Sequence, residues 1–158
     1  MTDLLILLVK ETDAMRVFID TNVFMDWLLE GRPAKMFAKT IITAAEQHCF
    51  ELIISTKSII DTFYYAQKSG LSFDRISDAL RYLYTFAKIV GIDSIDCLWA
   101  MDHYSGDFED DMQYASAYNA VCDYFITRDK KLQQINREYS PMTVISPEDF
   151  VSQMTASA

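Results

Sequence analysis

Asp20, Asp61, Asp110 and Asp129 are the residues of this chain best suited to joint chemistry, and they come from four separate stretches. Asp20 ends the apolar run MRVFI, and Asp129 follows closely on the run YFIT. Asp107, Asp110 and Asp111 open a helix-like segment at i, i+3 and i+4, on neighbouring faces of one turn. Asp61 falls about one and a half turns into the helix after the second strand-like run. If strands and helices alternate, all four stretches direct carboxylates to the rim beyond the strand ends, where open parallel sheets bind ligands. Carboxylates so gathered repel one another and resist ionisation until something neutralises them. A hard divalent cation does this, and Mg²⁺ is content with a few carboxylates plus water and phosphate. Such an ion activates a water and clamps the charge developing on a phosphodiester. His48 and His103 are the only histidines, no Ser–His or Cys–His pairing supports covalent catalysis, and no Cys/His cluster suits zinc. These residues point to metal-assisted phosphodiester hydrolysis.

Each acid also has a structural reading. Asp20, followed by Thr21 and Asn22, serves equally as a turn and cap; Asp107 and Asp129 suit helix N-caps; Glu109 and Asp111 read as solvated helix surface. Asp61 differs, because Ile59, Ile60, Phe63 and Tyr64 around it are expected to face the core. A carboxylate at the edge of an apolar face has no cheap structural explanation. Ser55 and Thr127 suit either metal-bound waters or backbone caps. Lys57, Arg128, Lys130 and Lys131 are candidate phosphate contacts and equally plain solvated charges.

The elements that must position these groups alternate regularly. Strands are expected at Met15 to Ile19, Leu52 to Ile54, Lys88 to Ile92, Tyr124 to Thr127 and Met142 to Ile145. Between them, Asn22 is a cap for a helix carrying Val23, Phe24, Trp27 and Leu28. A second helix follows Pro33, with Met36, Phe37, Ile41 and Ile42 turned inward. Ser55 or Thr56, Ser72, Ser94 and Asp107 open further helices, the last running from about Phe108 to Val121. Ser146, Pro147 and Glu148 open the final one. Strand–helix alternation implies βαβ units and a mostly parallel sheet covered on both faces, an α/β class fold.

The chain has 158 residues, 51% of them hydrophobic, enough for one core and against disorder. Fourteen Lys+Arg against 23 Asp+Glu leave a net charge of −9, which excludes a basic-patch nucleic-acid binder but not a nuclease whose acids hold metal. The apolar run Leu4 to Val9 is too short to span a bilayer and lacks a basic flank, so neither a membrane anchor nor a signal peptide is expected. Cys49, Cys97 and Cys122 read as buried reduced thiols of a cytoplasmic protein. Residues 1–14 form an N-terminal extension of undecided role, and residues 15–158 read as a single domain.

Four segments, VFIDTNVFMDWL, IISTKSIIDTFYY, DFEDDMQYASAYNAVCDYFITRDKKL and TVISPEDF, occur in that order between about Met15 and Phe150 and together resemble the PIN domain family. The resemblance implies a Rossmann-like three-layer α/β/α sandwich with a central parallel sheet. It further implies Mg²⁺- or Mn²⁺-dependent ribonuclease activity on single-stranded or structured RNA, in the setting of a bacterial type II toxin–antitoxin pair. By position, Asp20 matches the first family acid, Asp110 the acid opening the helix that carries Ala115 and Ala117, and Asp129 the last. Asp61 stands where the family usually has Glu. Asn22 and Thr127 match supporting polar residues, and Asp107 resembles an accessory acid.

On this reading Asp20, Asp110 and Asp129 hold the metal, while Asp61 orients or deprotonates the attacking water or holds a second ion. Being one methylene shorter than Glu, Asp61 reaches its target through an intervening water. The implied partners are an RNA substrate, an antitoxin that places an Arg-bearing segment over the acidic rim, and a second copy in a homodimer. Two alternatives stand beside it: a non-catalytic PIN-fold module that binds RNA or a protein, and, with a poorer match, a receiver-like domain with a phosphorylatable aspartate.

Overall fold

Alternation along each strand divides the apolar residues between two faces, and two separate cores result. The computed structural model describes residues 14–135 and 140–158; most of the N-terminal extension lies outside these. Five strands, β1 (Arg16–Ile19), β2 (Glu51–Ser55), β3 (Ala87–Val90), β4 (Tyr124–Ile126) and β5 (Thr143–Ile145), form one sheet in the order β3-β2-β1-β4-β5. Every pairing is parallel. Val17, Ile19, Leu52, Ile54, Ile126 and Ile145 point into one core, and Phe18, Ile53 and Phe125 into the other. That period of two is what a sheet buried on both faces requires.

The first core is covered by α1 (Thr21–Leu28), α2 (Lys35–Glu46), α3 (Thr56–Lys68), α4 (Phe73–Leu83) and α8 (Pro147–Ala156). The second lies under α6 (Phe108–Asn119) and the short α7 (Lys130–Gln134), with α5 (Ser94–Asp102) packed on α6. Phe18 stacks on Phe125 across β1 and β4, their ring centroids 5.0 Å apart. The result is the three-layer α/β/α sandwich expected from the alternation, with a wholly parallel sheet among the described residues.

Helix ends and faces depart from the sequence reading in several places, each for a local reason. Asp20, not Asn22, caps α1, because its carboxylate accepts directly from the Thr21 N–H at 2.7 Å. Asp93 replaces Ser94 as the cap of α5, since Asp93 and Asp96 close a reciprocal capping box. Met36 is 73% exposed rather than inward, because the buried stripe of α2 runs through Ala38, Ile41, Ile42 and Ala45. In α3 the buried stripe is Ser58, Thr62 and Ala66, while Ile60 and Tyr64 are exposed. Small residues on that stripe let α3 sit close to its neighbours, and Ile59 and Phe63 beside it pack, partly buried, against the first core as expected. Of the cysteines only Cys122 is buried; Cys49 is exposed and Cys97 half-buried.

Candidate active site

Parallel register brings the ends of β1 and β4 level, with Ile19 opposite Ile126. Asp20 follows immediately, its N–H donating to the Ile126 carbonyl at 3.0 Å. Its carboxylate is held from three directions. One oxygen accepts from Thr21 N–H; the other accepts from Asn22 Nδ2 at 2.9 Å and from Thr127 Oγ1 at 2.8 Å. Thr127 is fully buried, and its hydroxyl in turn accepts from the Asp129 N–H at 3.0 Å. Asn22 Oδ1 accepts from the Arg128 N–H at 3.3 Å. Asn22 and Thr127 therefore tie the first acid to the loop that carries the last. Asp129 also caps α7, accepting from Lys131 N–H at 2.8 Å, so its capping and site-facing readings are compatible.

Asp110 approaches from the other layer, on the first turn of α6, whose cap is Asp107. Burial, and then the charges of Asp107, Asp129, Asp20 and Glu109, push the Asp110 carboxyl up to about 6. The Asp20 carboxyl is also raised, by burial first; its hydrogen bonds from Thr127 and Thr21 work against that, and Asp129 adds to it. Acids from three distant segments thus act on one another electrostatically. Asp111 does not join them. Fully buried, it accepts from both the N–H and the hydroxyl of Ser105, at 2.8 and 2.6 Å, and is a structural residue rather than solvated surface.

Asp20, Asp61, Asp110 and Asp129 line one cavity of about 340 Å³, together with Asn22, Arg32, Glu109 and Gln113. Asp61 is held at its rim by Lys57, whose ammonium also reaches Glu109 at 2.7 Å. Burial works against the Lys57 charge, but hydrogen bonds to the two carboxylates outweigh it and hold the ammonium above the usual lysine value. Lys57 is therefore committed to the protein's own acids rather than free for a ligand. Arg128 likewise faces Asp26, while Lys130 and Lys131 are exposed on α7. Ser55 lies fully buried behind the cavity, where it caps α3 and donates to Gln113 Oε1 at 2.7 Å.

Two features of the site escaped the sequence reading. Gln113 bridges Ser55, Ser58 and Thr21, donating to Ser58 Oγ at 3.1 Å and Thr21 Oγ1 at 3.3 Å. Its position at i+3 from Asp110 was the available signal. Asp26, fully buried, accepts from Arg32 Nε at 2.9 Å and lies 2.6 Å from Arg128 Nε, in an ion pair that falls short of hydrogen-bond geometry. Asp26 stands at i+4 from Asn22, but nothing in the chain's linear order marks its arginine partners.

Among the described residues, no group of three or more His, Cys, Asp or Glu side chains is drawn together tightly enough to hold a metal ion. The donor set nevertheless fits a hard divalent cation: carboxylate oxygens from separate segments, raised acid pKa values and a cavity with room for water. A bound cation would offset the burial, and then the neighbouring negative charges, that push the Asp110 carboxyl up to about 6.

Several solved structures share the fold. A toxin–antitoxin complex from Klebsiella pneumoniae is 21% identical, covers 83% of this chain and 97% of its own, and gives a TM-score of 0.60. The Sarcin-Ricin loop cleaving toxin VapC20 of Mycobacterium tuberculosis is 14% identical over 73% of this chain and 92% of its own, also at 0.60. VapBC2 of Rickettsia felis, bound to a DNA fragment from its promoter, is 12% identical over 84% and 98%, at 0.61. No curated protein sequence matches the chain. The PIN domain family model matches residues 16–131, a span that holds all four rim acids, and the chain belongs to the PIN domain family.

Proposed function

We propose that the chain is a Mg²⁺- or Mn²⁺-dependent endoribonuclease, a single cytoplasmic domain over residues 15–158 and the toxin of a toxin–antitoxin pair. The observation that carries this is the convergence of Asp20, Asp61, Asp110 and Asp129 on one cavity, with Asp110 pushed up to about 6. A divalent cation bound there supplies an activated water and neutralises the scissile phosphate. Asn22 and Thr127 fix the Asp20 carboxylate, Asp107 caps the turn carrying Asp110, and Asp129 completes the set of oxygen donors. Asp61 orients the attacking water from the rim and must share or leave Lys57 to do so. Among the described residues no helix is long and apolar enough to cross a membrane.

Toxins and toxin–antitoxin complexes among the solved structures that share the fold support the toxin setting and an antitoxin partner. A homodimer belongs to the same reading, supported by exposed Ile60, Tyr64, Tyr65, Phe73 and Tyr84 on and beside α3 and α4. Sedimentation equilibrium is expected to show a concentration-dependent dimer, and a strict monomer at high concentration removes it.

Calorimetric titration of Mg²⁺ and Mn²⁺ into the metal-free protein tests the site. Saturable binding is expected, weakened about tenfold or more in Asp110→Asn, because one oxygen ligand and one charge are lost. A non-catalytic PIN-fold module is the second reading, favoured by the Lys57–Asp61 pair and the open spacing of the acids. It predicts no binding at millimolar metal.

A further inference from the structure

Five acids, Asp20, Asp61, Glu109, Asp110 and Asp129, share the lining of the cavity with one basic residue, Arg32, while Lys57 pairs with Asp61 and Glu109 from outside that lining. Arg32 does not pair with any of them. Its Nε donates to Asp26 Oδ1 at 2.9 Å, and that fully buried carboxylate is also faced by Arg128 Nε at 2.6 Å. Two guanidinium groups against one carboxylate leave one unit of positive charge unbalanced beside the acidic cavity. Because Arg32 is anchored through Nε, its terminal amino groups are left for a ligand in the cavity it lines. The side chain is 34% exposed, so it is reachable from solvent yet held at its root.

From this geometry we infer that Arg32 binds a phosphate of the RNA strand next to the scissile one, and that Asp26 is the positioning residue that preorganises it. The inference rests on the ribonuclease reading and names the contact by which that site holds its substrate. A guanidinium offers a planar fork matched to two phosphate oxygens, which a lysine cannot reproduce. Anchoring on a buried carboxylate removes much of the rotamer freedom that a long side chain otherwise loses on binding. Lys57, by contrast, is already spent on Asp61 and Glu109. Asp26 also pairs with Arg128, whose N–H donates to Asn22, so a chain of contacts links the Arg32 anchor to the side chain that holds the first acid.

The test is fluorescence anisotropy of a labelled single-stranded RNA of mixed sequence with a phosphorothioate backbone, in Mg²⁺ and over a range of salt. Thermal unfolding is run in parallel to show that each variant is folded. Arg32→Gln is expected to weaken binding about tenfold and to lower the slope of log affinity against log salt by about 0.7, the signature of one lost phosphate contact on a single strand. Arg32→Lys recovers only part of the affinity. Asp26→Asn weakens binding in the same direction, and added to Arg32→Gln it costs little more, since the two act as one unit. Wild-type binding with an unchanged affinity and slope in Arg32→Gln overturns the inference alone. Asp26→Asn that lowers the melting temperature without moving the salt slope makes Asp26 part of the scaffold and overturns its positioning role. If Asp26→Asn does not fold, the Arg32→Gln and Arg32→Lys pair still decides the phosphate contact. Failure of the wild-type chain to bind the RNA overturns the ribonuclease reading and this inference with it.

Discussion

Asp20→Asn is expected to lower metal-dependent RNA cleavage by about 10³-fold, in the upper range for loss of one charged group acting on the transition state. Asp20 is the most firmly held of the acids, with three donors on its two oxygens. Substitution keeps the shape but removes the charge that a cation needs. The fold should hardly notice. Burial is the largest cause of the raised Asp20 pKa, so the ionised carboxylate costs stability in the metal-free protein and a neutral amide relieves that cost. Against this, the new amino group meets the donors Asn22 and Thr127. The two effects offset, and the metal-free melting free energy is expected to move by less than about 1 kcal/mol. Gel-resolved cleavage beside thermal unfolding in chelator measures both. Undiminished cleavage by folded Asp20→Asn would remove Asp20 from the chemistry.

Metal affinity is expected to depend steeply on pH below about 6, the value to which Asp110 is raised. Bound metal requires the ionised carboxylate, so each protonated ligand weakens binding by up to about tenfold per pH unit. Between pH 7 and pH 5 the Asp110 proton alone accounts for about a tenfold loss, and the raised Asp20 pKa steepens it. Stability of the metal-free protein runs the other way. The folded acid at about 6 holds its proton where the unfolded one, near the ordinary 3.8, has lost it. Folded protein therefore binds more protons in that window, and stability falls as pH rises from about 4 to about 6, then levels. Saturating Mg²⁺ should cancel the fall. Titration calorimetry at pH 5, 6 and 7, with thermal unfolding in chelator and in Mg²⁺, checks both halves. Affinity that does not change with pH would mean these carboxylates are not the ligands.

The acids and their strands were legible because their signals are local. Asp20 directly follows a β-branched run, Asp107 and Ser146 sit where helices must start, and alternation of strand and helix implied a parallel sheet. Less was visible where packing chose between chemically similar options. The sequence reading turned Ile59, Ile60, Phe63 and Tyr64 of α3 inward. Ile59 and Phe63 do pack on the core, but Ile60 and Tyr64 are exposed. Ser58, Thr62 and Ala66 form the buried stripe, because that helix packs closely on α1 and on the Gln113 network. Asp111 read as surface beside Asp110, but a one-residue step around the helix, about 100°, carries it into the protein and onto Ser105.

By itself, the sequence determined the βα alternation, the positions of the acids at strand and helix ends, and the family to which the chain belongs. Periodicity and capping act over a few residues, so the linear order carries them. Lys57 and Asp61 stand at i and i+4 on one helix, a local pairing. The tertiary structure alone decided which other charges meet: Lys57 with Glu109, and Asp26 with Arg32 and Arg128. Such pairings join residues brought together by the parallel register and by the packing of the helices that cover the sheet. Their partners are set by distance in space, which no local spacing encodes.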